Sequence, residues 1–77
     1  MIEVLLFAQL QEAAGQEKVS IEAEGMTIAA IKEVMKKVYQ LSTIDQAMAA
    51  VNEEYAENDQ VVNKGDTVAF IPPVSGG

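Results

Sequence analysis

Over residues 18–23 apolar and polar side chains alternate without interruption. Val19, Ile21 and Ala23 fall on one side, and Lys18, Ser20 and Glu22 on the other. A period of two marks a strand with one buried face. Met1 to Ala8 also reads as a strand, rich in aliphatic residues and carrying Glu3 as its single charge. Between the two, Gln9 to Ala14 fits one or two helical turns closed by Gly15. Residues 1–24 are therefore expected to form a strand pair with a long connection.

The period then changes. Ile28, Ile31, Met35 and Val38 recur at helical spacing, with Val34 widening the stripe and Thr27 placed to cap the start. Lys36 and Lys37 sit where cations suit the helix dipole, and Glu33 and Lys37 make a favourable i,i+4 pair. This predicts one main helix over about residues 27–40. Ala47 to Val51 reads as a third strand despite its three alanines. Asn52-Glu53-Glu54 turns the chain, and Tyr55 to Gln60 is read as irregular or as a short edge strand. Asn63-Lys64-Gly65-Asp66 is a turn signal. Thr67 to Ile71 makes the last strand, stopped by Pro72 and Pro73, which cannot donate to a ladder.

Strand, strand, helix, strand, strand is the order of an α+β fold of the β-grasp, ubiquitin-like kind. It predicts a mixed sheet in which one main helix crosses and the first and last strands lie side by side and parallel. Residues 1–71 form the domain in this reading, and residues 72–77 an extended tail.

One helix covers one face of a sheet, yet the first and last strands are apolar on both. If Ile2, Val4 and Leu6 face the helix, Leu5 and Phe7 point away. If Val68 and Phe70 face in, Ala69 and Ile71 face out. With those strands adjacent, Leu5, Phe7, Ala69 and Ile71, joined by Tyr55, are expected to form a contiguous apolar patch, which in a small domain marks a partner site.

Composition narrows the chemistry. The 77 residues include no Cys, His or Trp and carry a formal net charge of -7. Without His or Cys, the usual general base, thiol nucleophile and commonest transition-metal ligands are missing, and no metal site is expected. Nucleic acid is excluded as a partner on charge grounds, because such binding depends on Lys and Arg neutralising phosphates. Glu53, Glu54, Glu57 and Asp59 lack the spacing of a calcium loop and read as a solvated acidic face, as do Glu22 and Glu24. Met26, Met35 and Met48 are expected in the core. The segment MIEVLLFAQL has neither the basic n-region of a signal peptide nor the length of a bilayer span, which leads to the expectation of a cytoplasmic protein.

The remaining feature is IPPVSGG at 71–77. Two prolines favour an extended backbone, so residues 72–77 span roughly 15–20 Å. Gly76 and Gly77 lack a Cβ and suit a narrow channel, and a carboxylate on Gly77 would be unhindered. ATP converts such a carboxylate to an acyl-adenylate, which a nucleophile can attack. A chain without Cys has no side-chain thiol to carry sulfur, but a thiocarboxylate on Gly77 can.

VAFIPPVSGG at 68–77, MAAVNEEY at 48–55, NKGD at 63–66 and VLLFAQLQEAAG at 4–15 resemble the small subunit of molybdopterin synthase, a ubiquitin-like sulfur-carrier family, over essentially the whole chain. The resemblance implies that an ATP-dependent activating enzyme adenylates Gly77 and that a sulfur donor replaces AMP. Gly77 is the carrier residue, and Pro72, Pro73, Val74, Ser75 and Gly76 form the stem that inserts into a large subunit. There the sulfur passes to cyclic pyranopterin monophosphate, in a heterotetramer whose large subunits supply the catalytic side chains. The small subunit binds no cofactor and is no enzyme on its own. Phe7, Tyr55 and Ile71 fall at its apolar contacts with the large subunit, and the patch reasoning adds Leu5 and Ala69. Two alternatives stay open at this level: a sulfur carrier for another product such as the thiamine thiazole, and a ubiquitin-like binding or modifier module.

Overall fold

The computed structural model describes residues 1–73. Its elements are β1 (Ile2–Leu6), α1 (Ala8–Ala14), β2 (Lys18–Ile21), α2 (Ile28–Tyr39), a 3-10 turn (Ile44–Gln46), β3 (Met48–Val51), β4 (Glu54–Ala56) and β5 (Thr67–Ile71). The five strands form one sheet in the order β2-β1-β5-β3-β4. β1 and β5 are parallel, with Val4 opposite Val68, and the other neighbours are antiparallel. This is the mixed-sheet β-grasp roll that the order of elements predicts.

α2 forms where the apolar spacing predicts it. The Thr27 side chain accepts a hydrogen bond from the Ala30 N–H at 3.2 Å, which caps the first turn. Two more of its free N–H groups, on Ile28 and Ala29, donate to the carbonyls of Gln60 and Asn58, each at 2.9 Å. The segment after β4 thus runs against the start of α2 and carries Val62 into the core.

Ile28, Ile31 and Met35 of α2 are fully buried against Ile2, Val4, Leu6, Val68 and Phe70 of the sheet. Leu10 of α1, with Leu41 and Ile44 from the segment after α2, closes the ends of this core.

Three expectations about this region need correction. Val38, placed on the buried stripe by its spacing, is 63% exposed. The buried face is rotated the other way, towards Lys32, which is almost fully buried, and Tyr39, which packs against the core. Lys32 tolerates this because its ammonium donates to the Ala47 carbonyl at 3.2 Å and to Asn58 Oδ1 at 3.0 Å. Glu33 pairs with Lys36 at 3.2 Å rather than with Lys37, and Lys36 also pairs with Asp45 of the 3-10 turn. Those two carboxylates, Asp45 first, hold the Lys36 ammonium above the ordinary lysine range. Met48 is 51% exposed, because it starts an edge-proximal strand with its side chain on the face away from α2.

Among the described residues, no helix is long and apolar enough to cross a membrane.

Candidate functional site

The face of the sheet opposite α2 holds a groove of about 350 Å³, and the strand register explains its shape. Leu5 stands opposite Ala69, Ala69 opposite Ala50, and Ala50 opposite Tyr55. These four residues form one row across β1, β5, β3 and β4. The two middle positions are alanines and the two outer ones are large. A sheet surface with small residues between bulky ones is a valley, floored by Ala69 and Ala50 and walled by Leu5 and Tyr55. Along β5 the same face carries Thr67 at one end and Ile71 at the other, where Phe7 follows β1.

All five residues expected in the apolar patch, Leu5, Phe7, Tyr55, Ala69 and Ile71, line this one groove. Tyr55 is 74% exposed and Phe7 43% exposed, so both stand proud of the surface. Ala50, Asn52, Glu53 and Thr67 line it too, and sequence reasoning did not place them there. Ala50 was recoverable: once Ala49 is assigned to the core, its neighbour must face the groove. Asn52 and Glu53 required the geometry of the turn.

That turn is a two-residue connection, since Val51 pairs with Glu54. Both central residues have positive φ, 50° at Asn52 and 70° at Glu53, as tight hairpins of this hand demand. Asn52 is tied to β5 through its backbone and side chain. Its N–H donates to the Thr67 carbonyl at 2.8 Å, and Thr67 N–H donates to its Oδ1 at 3.1 Å. Its Nδ2 donates to Asp66 Oδ1 at 3.0 Å. Asp66 Oδ2 also accepts from Asn63 N–H at 2.8 Å. These bonds, the Asn63 one foremost, hold the Asp66 carboxyl below the ordinary aspartate range. The acidic end of the groove is therefore fixed to the strand that floors it.

The opposite end leads to the tail. Ile71 lines the groove, Pro72 is buried and Pro73 is exposed. Pro72, read from sequence as part of the stem, packs with the domain. The other proposed tail positions, Val74, Ser75, Gly76 and Gly77, lie outside the described residues.

A second depression of about 530 Å³ lies beyond Tyr55, between β4 and the segment that follows it, with Lys32 beneath. Both hydrogen-bond partners of the Lys32 ammonium belong to the fold, so its contribution is to pin α2 to the start of β3 and to residue 58. Among the described residues, no three Asp or Glu side chains are grouped to hold a metal ion. The arrangement is lined mainly by apolar side chains. What it offers is an apolar groove, one acidic end, and a strand that runs from the groove into Pro72 and Pro73.

The sequence pattern of the ThiS family matches residues 4–77. The chain is similar to the molybdopterin synthase sulfur carrier subunit of Escherichia coli, with 37% identity over 81 aligned positions covering 100% of both chains. It is 38% identical to the human protein of the same description, over 99% of this chain and 93% of that one. Its fold matches that of a chain in the solved complex of subunits 1 and 2 of molybdopterin-converting factor from Helicobacter pylori. The TM-score there is 0.71 at 20% identity, over 99% of this chain and 97% of that one.

Proposed function

The chain belongs to the ThiS family, and from that premise we propose that it is the sulfur carrier subunit of a molybdopterin synthase. The carrier atom is the C-terminal carbonyl carbon of Gly77. An ATP-using activating enzyme joins the Gly77 carboxylate to AMP and releases pyrophosphate. A sulfur donor then displaces AMP, leaving a thiocarboxylate. The loaded chain docks on the large subunit through its groove and gives the sulfur to cyclic pyranopterin monophosphate.

The chain's own contribution is binding and presentation. ATP is consumed by the activating enzyme, and the large subunit brings the catalytic side chains, in a heterotetramer of two small and two large subunits.

The observation that carries this reading is the continuity of β5. Ala69 floors the groove, Ile71 lines its end, and Pro73 follows two residues later. A protein filling the groove therefore sits against the strand from which the carrier segment departs. The full-length identity to sulfur carrier subunits gives that geometry its chemistry.

The test is reconstitution with the cognate activating enzyme, ATP, a sulfur source and the large subunit. The chain should support formation of the dithiolene product. Removing Gly76 and Gly77 should abolish it while leaving the fold and large-subunit binding in place. Product formation without those glycines would refute the carrier role.

A further inference from the structure

Glu53 combines two features that the groove's apolar residues do not share. It holds a left-handed backbone, φ 70°, at a turn position where glycine is the favoured residue. Among the groove's described lining residues it is also the one side chain charged at neutral pH, and it sits at the end opposite Phe7 and Ile71. Asn52 beside it is equally left-handed, but Asn adopts that region readily and its side chain is bonded to Asp66 and Thr67. Among the described residues, the Glu53 carboxylate makes no hydrogen bond or ion pair. Backbone strain kept at the lip of a binding groove is an indication of use by a ligand.

Electrostatics specifies the ligand's chemistry. A protein that covers the Ala50–Ala69 floor removes water from the end of the groove. A carboxylate stripped of water without a counter-charge weakens the complex sharply, whereas one met by a cation does not. The chain as a whole carries a net charge of -7, so a basic patch on the occupant is also drawn in at long range.

We propose that Glu53 is a recognition residue whose carboxylate pairs with a lysine or arginine of the protein that fills the groove. This rests on the reading that the occupant is the large subunit. The apolar wall, Phe7 and Tyr55, holds the complex together, and Glu53 selects and orients it. Its contribution falls on association rate and on salt dependence.

The experiment measures association and dissociation of the full chain with the purified cognate large subunit at several ionic strengths. The variants are Glu53→Gln, Glu53→Asp, Glu53→Gly and Phe7→Ala, each with its thermal unfolding recorded. Glu53→Gln should slow association about fivefold at low salt, with the difference shrinking as salt is added. Glu53→Asp, which keeps the charge, should recover most of the rate. Glu53→Gly should bind as poorly as Glu53→Gln yet unfold at a higher temperature, because it relieves the turn. Phe7→Ala should instead speed dissociation.

Glu53→Gln binding like the unaltered chain at every salt concentration, while Phe7→Ala binds weakly, would overturn the role of Glu53 and leave the docking reading intact. Failure of the unaltered chain to bind the large subunit at all would overturn both.

Discussion

Leu6, Phe70 and Ala49 stand side by side across β1, β5 and β3, and all are closed off from water. One residue away on each strand, Leu5, Ala69 and Ala50 form the matching row on the other face, extended by Tyr55. The first row lies under α2 and is filled by the large ring of Phe70. The second has no helix above it and puts its smallest residues in the middle. Adjacent positions in sequence thus serve opposite ends. The residue that fills the core makes the domain stable, and the residue beside it makes a groove that something else must fill. Alternation in the strands produces both, and the single long helix decides which face becomes which.

The sharpest way to break that comparison is to exchange effects between the faces. Phe70→Ala should cost about 3–5 kcal/mol, as large-to-small changes at closed core sites do. For a domain of this size that is much of the total stability. Denaturant or thermal unfolding should show it directly, and a loss under about 1 kcal/mol would mean that the core is not where the register puts it.

Phe7→Glu is the opposite case. Its ring is 43% exposed at the groove, so unfolding should shift by less than about 1 kcal/mol. Binding of the large subunit should weaken at least about tenfold, because a charge would replace an apolar contact of the groove. A variant that unfolds readily would show that Phe7 belongs to the core instead.

The smallest expected effect is on the turn that closes the acidic end. Asp66 has its carboxyl held below the ordinary aspartate range by bonds from Asn63 N–H and the Asn52 side chain. Its folded pKa lies below its unfolded one, so its stabilisation is fully present above that unfolded value. It is lost as pH falls below the ordinary aspartate range and through the folded pKa. Asp66→Asn should flatten this part of the acid-unfolding profile and lower the neutral-pH melting temperature slightly, because the stabilisation it removes is present at neutral pH. Equal acid sensitivity in both proteins would remove Asp66 from the account.

Much of this architecture is legible in the chain because local signals agree. β2 alternates cleanly, Thr27 and the Ile28-Ile31-Met35 spacing define α2, and the Asn63–Asp66 turn leads into β5. The apolar patch follows from two strands apolar on both sides. The misplacements share a physical origin. Val34 and Val38 draw the helical stripe to one side by their hydrophobicity, while the buried face turns towards Lys32 and Tyr39. A lysine on that face is intelligible only once Ala47 and Asn58 are seen around its ammonium. Residue type alone cannot show such partners, because they come from segments 15 and 26 residues away. Glu53 was legible as a charge but not as part of the groove, since that needs the turn's left-handed backbone.

The most direct measurement is the intact mass of the chain after incubation with its activating enzyme, ATP and a sulfur source. The account predicts a species heavier by one oxygen-to-sulfur exchange, localised by fragmentation to the C-terminal peptide and absent when ATP is withheld. An unmodified mass with active enzyme and all components present would contradict the sulfur-carrier reading.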